Sequence, residues 1–210
     1  MNDISIKSLF LNYEIRVMPN LQSFTGNHVT GKPLTKIPEQ KNSPLEKVLF
    51  DPYRIVRVRH DQRCLVAGLF DQYRIFYNQP SNRQLADRYI GDRLLHNESV
   101  IFTALINSPD AIAAGFVQLY PKYSSIYANK SIILNDLFVL PDYRNRGIAL
   151  KLIGAAIQFA VENNFTEIQL ETMHDNFPAQ NLYESVGFKK LKQPTQFFTY
   201  FIKLGKEQSM

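Results

Sequence analysis

The sequence predicts a mixed α/β fold in which helices pack against one central sheet. Three observations predict it. Strand-like and helix-like segments alternate from residue 53 to residue 204. A buried strand over residues 131–140 runs through a short basic turn into an apolar helix over residues 147–163. A second strand, over residues 166–172, leads into a shorter helix that ends before Gly187-Phe188. The fold class is therefore α/β (α+β).

Length and composition indicate one domain with an extension. The chain has 210 residues, which suits a single core. Residues 1–50 contain one strand-like run, over 9–17, but are otherwise rich in proline, glycine and polar groups. Such a segment buries too little apolar surface to offset its ordering entropy, so we expect it to be partly disordered or draped on the domain. We place the domain at residues 51–205 and a short tail at 206–210.

Charge and cysteine content narrow the class of protein. The chain has 24 basic and 19 acidic residues, a net charge of +5. This balance modestly favours anionic ligands and is too slight to predict nucleic-acid binding. The single cysteine, Cys64, excludes an internal disulfide, and we expect a buried structural thiol where a helix begins. The histidines lack ligand spacing, so no metal is expected.

The chain has no membrane-directed sequence pattern. No run approaches the ~20 apolar residues of a membrane span. The first residues lack a basic segment followed by an uninterrupted apolar core. We therefore expect a cytoplasmic protein with no membrane partner.

The first half of the domain predicts one strand followed by two helices. Residues 53–59 alternate in polarity and are β-branched, which is typical of a strand. Asp61 can cap the first helix, and Ser81 can cap a second helix that runs to about His96. In the first helix, apolar and aromatic residues recur every fourth position: Leu65, Leu69, Tyr73 and Tyr77.

Three further strands complete the predicted sheet. Residues 99–106 and 111–120 form two strands joined by the turn Asn107-Ser108-Pro109-Asp110. Residues 197–204 form a last strand that closes the chain. The helix over residues 147–163 is apolar nearly all round, so we expect it to pack deeply against the sheet.

The turn from Arg144 to Ala149 predicts an anion site. It places a run of backbone N–H groups at the start of a helix, where they have no internal partners and where the macrodipole is positive. The dipole contributes only ~0.3–1 kcal/mol, whereas each charge-assisted hydrogen bond contributes ~1.5–3 kcal/mol. Gly147 allows the backbone to approach the ligand closely. The glycine patterns of nucleoside-triphosphate and dinucleotide loops are absent from the sequence.

Two motifs together resemble those of a known family. Residues 134–149 contain Leu-x-x-Leu-x-Val-x-Pro-x-x-Arg followed by Gly147-x-Ala149, which resembles the coenzyme A pyrophosphate loop of the GNAT (Gcn5-related N-acetyltransferase) superfamily. Residues 176–188 read Asn-x-x-Ala-x-x-Leu-Tyr-x-x-x-Gly-Phe, which is similar to a second segment of that family. The two motifs stand in the family's order, separated by one helix. The resemblance covers residues 53–204.

The resemblance implies a fold and a cosubstrate. The sheet would be mixed but mostly antiparallel, with six to seven strands and four flanking helices, and it would splay open at the cofactor cleft. Acetyl-CoA (coenzyme A) would bind there. Its pantetheine arm would bond backbone groups near the end of the central strand, and its pyrophosphate would lie on the amides of the turn, with Arg144 and Arg146 adding charge. The implied cofactor-binding residues are Leu137, Phe138, Val139, Arg144, Asn145, Arg146, Gly147, Ile148, Ala149, Leu150, Asn176, Ala179 and Tyr183.

The resemblance also implies direct attack of an amine on the thioester. Tyr183 would donate a hydrogen bond to the departing sulfur. Asp136, Glu171 and His174 lie near enough in sequence to act as the base, directly or through water, although each also has a purely structural interpretation. Polyamine acetyltransferases have a glutamate where this chain has Asn135, which cannot accept a proton.

The sequence gives the least information about the acceptor pocket. The implied acceptor-side residues are Tyr73, Arg74, Tyr77, Tyr120 and Asn135, but an aromatic stripe at helical spacing is also typical of a core. Two functions fit: an N-acetyltransferase acting on an amine of a small molecule or protein, and a catalytically silent acyl-CoA-binding module. Other members of the family are often dimers, so the resemblance allows a homodimer and leaves the oligomeric state open.

Overall fold

The computed structural model describes residues 52–107 and 112–191 of the chain. Within it the chain divides into two compact units, one ending at Leu170 and the other beginning at Glu171. The predicted extension, the strands predicted over residues 9–17 and 197–204, the tail and most of the turn at residues 107–110 lie outside the described residues.

The first unit is built on a five-stranded sheet with the order β1-β2-β3-β4-β5. The first four strands are antiparallel to their neighbours, and β5 runs parallel to β4. A mixed, mostly antiparallel sheet was the prediction, and it is confirmed. The strands are β1 Tyr53–Arg57, β2 Val100–Ile106, β3 Ala113–Ser124, β4 Asn129–Val139 and β5 Ile168–Gln169.

Two helices, α1 (Cys64–Phe76) and α2 (Arg83–Leu95), cover one face of this sheet. Their apolar sides meet the strands in a buried cluster, because alternate strand residues point toward the helices. The cluster consists of Val58, Val66, Leu69, Phe70, Ala86, Ile90, Ile101, Phe116 and Phe138.

Both predicted caps of these helices are wrong. Asp61 lies in a 3-10 turn before α1 and pairs with Arg59 at 3.3 Å, so α1 has no side-chain cap. The Ser81 hydroxyl donates a hydrogen bond to the Asp71 carboxylate and does not cap α2. The neighbouring Asn82 caps α2 by accepting a hydrogen bond from the Leu85 N–H at 2.9 Å. Either residue type can cap a helix, so tertiary contacts decided which one does.

Cys64 is exposed, so the prediction of a buried thiol is wrong. It is the first residue of α1 and precedes the first buried position of the helix. The buried stripe of α1 begins at Val66 and continues through Leu69 and Phe70. Cys64 therefore lies outside that stripe.

Helix α3 (Ile148–Glu162) covers the opposite face of the sheet. Phe116 contacts rings of α1, whereas Phe102, which pairs with the next β3 residue, contacts Phe159 of α3 at 6.0 Å. The helix is buried along one side only, since Val161 is 70% exposed, so the expected deep packing holds for that side alone. In the described part of the chain no helix is both long and apolar enough to cross a membrane.

The second unit contains helix α4 (Phe177–Ser185). Asn176 caps it by accepting a hydrogen bond from the Ala179 N–H at 3.3 Å. The helix ends at Gly187, whose φ of 98° is left-handed, and the Phe188 N–H donates back to the Tyr183 carbonyl at 3.1 Å. This is the usual role of glycine after a helix C-terminus, so the predicted Gly-Phe pair acts as a stop for α4.

Candidate active site

The edge of β4 away from β3 is open along half of the strand. The parallel pairing with β5 covers only Ile132 and Ile133. Beyond Ile133, no strand in the described part of the chain pairs with β4 on this edge. The sheet therefore splays at the end of β4, as the sequence resemblance implied.

Backbone directions show which groups of β4 face this open edge. The Leu140 N–H donates to the Ala114 carbonyl of β3 at 2.9 Å. Because neighbouring residues of an antiparallel strand turn their N–H and C=O groups to opposite edges, Phe138 also faces β3. Leu137 and Val139 face the open edge. Of the three backbone positions predicted to hold the cofactor, two therefore face the open edge, and their contact with a cofactor stays a prediction.

A left-handed glycine opens α3 directly after this strand. Gly147 has φ 76°, and the space beside its Cα is empty within 4 Å. The first helical hydrogen bond runs from the Lys151 N–H to the Gly147 carbonyl at 3.1 Å, and no side chain caps the helix. The N–H groups of Ile148, Ala149 and Leu150 therefore lack partners inside the helix. This is the arrangement that an anion requires.

Two arginines flank this loop. The Arg144 Nε donates to the Val139 carbonyl at 3.0 Å, so part of its guanidinium fixes the chain between β4 and the loop. The same guanidinium lies 5.9 Å from the ring centres of both Phe76 and Phe138. Arg146 lies over the Tyr143 ring at 5.5 Å. Asn145, between the two arginines, has a left-handed φ of 59°.

Strand β4 contains a bulge that the sequence did not reveal. Gln118 of β3 lies opposite Asp136, but the next residue, Leu119, lies opposite Leu134. Asn135 is therefore an extra residue in β4. Its side chain is exposed, and its Nδ2 donates to Asp136 Oδ1 at 3.1 Å. A bulge of this kind turns one side chain outward and re-aims the next one, here Asp136.

Asp136 is a buried carboxyl, with 5% of its surface exposed. Burial raises its pKa above the usual value, and hydrogen bonds from Tyr73 and Asn135 partly oppose that rise. Burial also raises the pKa of Tyr73 and of Tyr120, and the negative charge of Asp136 adds to both shifts. Both tyrosines therefore remain protonated hydrogen-bond donors at neutral pH.

Three further polar residues belong to this region and were missed by the sequence analysis: Tyr89, which contacts the predicted Tyr120, and the pair Gln118 and Ser99. The Tyr89 and Tyr120 hydroxyls are 2.9 Å apart. The Gln118 Nε2 donates to Ser99 Oγ at 2.9 Å, and the buried Gln118 Oε1 has no hydrogen-bond partner within the described residues. A glutamine within the apolar strand sequence AAGFVQLY was the available signal, because a buried polar side chain usually has a role.

The predicted acceptor-side residues of α1 have different surroundings. Tyr73 lies beside Asp136 and contacts the Tyr77 ring at 5.0 Å, and Tyr77 is 46% exposed. Arg74 instead bonds Asp71 at 3.4 Å and the Pro80 carbonyl at 3.2 Å. Its guanidinium therefore ties α1 to the start of α2.

The remaining predicted residues belong to the second unit. Tyr183 is partly buried, and its ring contacts Phe188 at 5.9 Å. Glu171 and His174 are exposed. The association of these residues with Asp136 in one site remains a prediction. The described residues contain no cluster of three or more His, Cys, Asp or Glu side chains that could hold a metal ion.

Comparison with known proteins identifies the family. The sequence model of the Acetyltransferase (GNAT) family matches residues 66–188. The chain belongs to this family. It is a GNAT-type acyltransferase, and the resemblance seen in its two motifs is confirmed.

Individual relatives of this GNAT protein also carry acetyltransferase names. A Bacillus subtilis protein named uncharacterized N-acetyltransferase YhfO is 42% identical over 136 residues, which cover 65% of this chain and 89% of that protein. The crystal structure of a probable acetyltransferase has a TM-score of 0.64 at 35% identity and covers 73% of this chain and 99% of that one. An aminoglycoside N-acetyltransferase solved with CoA has a TM-score of 0.58 at 19% identity, over 70% of this chain and 94% of that one, and shares the fold.

Proposed function

We propose that the protein transfers an acetyl group from acetyl-CoA to a primary amine of a small molecule or protein by direct attack. The observation that carries the proposal is the continuity of two features. The open edge of β4 at Leu137 and Val139 leads into the loop at the start of α3, whose first amides have no partner inside the helix. Coenzyme A has an extended pantetheine arm that ends in a diphosphate, so the arm can lie along the open edge and the diphosphate on the loop.

Backbone groups supply most of the proposed cofactor recognition. The pantetheine arm carries amides that can pair with the open β4 edge like an added strand. The diphosphate then accepts hydrogen bonds from Ile148, Ala149 and Leu150, each contributing ~1.5–3 kcal/mol. The positive charges of Arg144 and Arg146 add to this attraction. Gly147 presents no side chain to obstruct the approach.

The acceptor amine must lose a proton before it attacks. An alkylamine has a pKa of ~10.4, so it is mostly protonated at neutral pH. Asp136 is the proposed base, because burial raises its pKa and so makes it a stronger proton acceptor than an ordinary aspartate. Because the carboxyl is buried, we assign the proton's path to it through the neighbouring Tyr73 hydroxyl. Tyr73 would pass its own proton to Asp136 and take the proton of the amine.

The bond changes then balance. The amine nitrogen forms a bond to the acetyl carbon, the carbon–sulfur bond breaks, and the sulfur leaves as a thiolate. The nitrogen loses its second proton as it becomes an amide, and the departing thiolate takes up that proton, so that free CoA thiol is released. We assign Tyr183 the hydrogen bond to that sulfur. The alternative base, Glu171, is exposed in the second unit, whereas Asp136 is buried beside Tyr73, so Asp136 is preferred.

One experiment tests the transfer. Purified protein is incubated with acetyl-CoA and a panel of primary amines, free thiol is measured, and the acetylated amines are identified by mass spectrometry. Amine-dependent thiol release with an acetylated product supports the proposal. CoA binding by calorimetry without thiol release for any amine would instead support an acyl-CoA-binding module.

A further inference from the structure

The end of helix α1 carries an aromatic cluster that is exposed to solvent. The cluster consists of Tyr73, Phe76 and Tyr77. Tyr77 contacts both of the others, at 5.0 Å from the Tyr73 ring and 5.3 Å from the Phe76 ring. Phe76 is 54% exposed and Tyr77 is 46% exposed. Contiguous large apolar side chains left open on a folded surface mark a binding surface more often than scattered ones do.

This aromatic cluster connects the two parts of the proposed active site. At one end, the Phe76 ring lies 5.9 Å from the guanidinium of Arg144 in the anion loop. At the other end, the Tyr73 ring lies 6.1 Å from the Phe138 ring of β4, and Tyr73 lies near Asp136, whose charge acts on it. A molecule resting on the cluster would therefore lie beside the proposed base and beside the cofactor loop.

The chemistry of the cluster selects a type of ligand. Aromatic faces stack on flat apolar groups, and their negative faces attract a cation. Asp136 adds a negative charge next to Tyr73, which suits one ammonium group there. At the Phe76 end, the Arg144 guanidinium carries only hydrogen-bond donors, so it offers no acceptor to a second ammonium group.

We propose that the acceptor is a primary amine with one ammonium group joined by a short alkyl chain to an aromatic ring. The ring stacks on Tyr77 and Phe76, and the amine lies at the Tyr73 hydroxyl next to Asp136. This inference rests on the proposed acetyl transfer and narrows it. It excludes polycationic sugars and polyamines as the preferred acceptors.

The test compares acceptors of matched reactivity. We would measure kcat/KM from thiol release with 2-phenylethylamine, butylamine, spermidine and kanamycin at fixed acetyl-CoA. Stacking on an exposed aromatic surface leads us to expect that 2-phenylethylamine exceeds butylamine by about tenfold. Spermidine and kanamycin should fall below both.

Substitutions in the aromatic cluster test whether it causes the preference for 2-phenylethylamine. Tyr77→Ala and Phe76→Ala should bring the ratio of kcat/KM for 2-phenylethylamine to that for butylamine close to one, because both side chains are exposed and the fold does not depend on them. A purely structural defect would lower both rates together and leave the ratio unchanged. Tyr127→Ala is the matched control, since Tyr127 is an exposed aromatic residue between β3 and β4, and its ratio should equal that of the unmodified enzyme.

The outcomes separate the two proposals. Equal or faster turnover of butylamine, spermidine or kanamycin would overturn the aromatic acceptor and leave acetyl transfer standing. An unchanged ratio in both cluster variants would also overturn it. No thiol release with any amine would overturn acetyl transfer and the acceptor inference together.

Discussion

Gln118 and Asp136 face each other across β3 and β4, one residue before the register of the two strands shifts. Both side chains are buried in a sheet whose other inward residues are mostly apolar. Burying polar groups costs free energy unless they are well bonded, and the Gln118 Oε1 has no partner within the described residues. Such a cost is typical of sites that are shaped for chemistry rather than for stability.

Asp136→Asn should remove the proposed base. We expect kcat/KM to fall by about 10²–10⁴, the usual contribution of general base catalysis. The folded pKa of Asp136 is raised, so its contribution to stability is present at low pH and is lost as pH rises through that pKa. The neutral asparagine should therefore be at least as stable at pH 7. Thiol release and thermal unfolding measure the two effects, with Asp92→Asn as the control. Full activity in Asp136→Asn would eliminate this base.

Tyr73→Phe should slow the reaction and shift its pH dependence. The Tyr73 hydrogen bond lowers the pKa of Asp136, so its removal raises that pKa further. The acidic limb of the kcat/KM profile should move to higher pH, and kcat should fall while KM for acetyl-CoA changes little. If Tyr73 only packed against its neighbours, the substitution would leave the acidic limb of the kcat/KM profile at the same pH. Tyr123→Phe, at an exposed position of β3, is the control. An unmoved acidic limb would contradict the link between Tyr73 and Asp136.

Tyr183→Phe should lower kcat and spare cofactor affinity. The change removes only the hydroxyl, and the ring can keep its contact with Phe188. Tyr donates a hydrogen bond to a thiolate whose pKa is lower than its own, ~8.5 against ~10, so it stabilises the leaving group without full proton transfer. The rate of thiol release at saturating substrates gives kcat, and calorimetry gives the Kd for CoA. Unchanged kcat would remove Tyr183 from the reaction.

Gly147→Ala should weaken CoA binding. A left-handed φ of 76° costs an L-residue about 1–2 kcal/mol, and the added methyl group enters the open space over the loop. We expect a rise of tenfold or more in the Kd for CoA. Asn164→Ala tests strain alone, because Asn164 has φ 55° just beyond the other end of α3. It should lower stability and leave the Kd unchanged. Equal Kd values for CoA in Gly147→Ala and the unmodified protein would contradict the proposed diphosphate site at this loop.

Asp71→Ala should destabilise the first unit. Asp71 is buried and accepts hydrogen bonds from the Asn82 N–H and the Ser81 hydroxyl, both at 2.7 Å, and from Arg74. Leaving these donors unpaired should cost about 2–4 kcal/mol of unfolding free energy at pH 7. Urea denaturation measures it, and the exposed Asp61→Ala is the control. A loss no greater than that of Asp61→Ala would show that this cluster is not stabilising.

The same cluster predicts a dependence on pH. Hydrogen bonds from the Asn82 backbone and the Ser81 side chain hold the pKa of Asp71 below its usual value. Its stabilisation is therefore complete above the unfolded-state pKa and is lost as pH falls through the lower folded-state pKa. The difference in unfolding free energy between Asp71→Ala and the unmodified protein should shrink in acid. A difference that grows in acid would contradict this assignment.

The sequence predicted the elements because their periodicities are strong and local. The alternation in β1 indicates a strand with one buried face, and the long apolar run of α3 indicates a helix packed on the sheet; both can be seen in the order of the residues. Gly147 and Gly187 were also readable, because each sits where a helix begins or ends, and both have a left-handed φ. The order of these elements predicted the fold class, and the resemblance of the two motifs to a known family predicted the mixed, mostly antiparallel sheet.

The bulge and the buried polar network could not be predicted in this way. A two-residue period in SIILNDLFV does not show which residue is left unpaired, because that depends on the register with β3. The caps failed for a similar reason, since Ser81 and Asn82 are both good caps and only the position of Asp71 decides between them. Arg74 likewise looked available for an acceptor until its bond to Asp71 was seen.

The most direct test of the central claim is a crystal structure of the protein with CoA. We expect the diphosphate within hydrogen-bonding distance, roughly 2.7–3.2 Å, of the amides of Ile148, Ala149 and Leu150. The pantetheine arm should bond the backbone of Leu137 and Val139 along the open edge of β4. A diphosphate bound elsewhere, or another segment of the chain occupying that edge, would contradict the account.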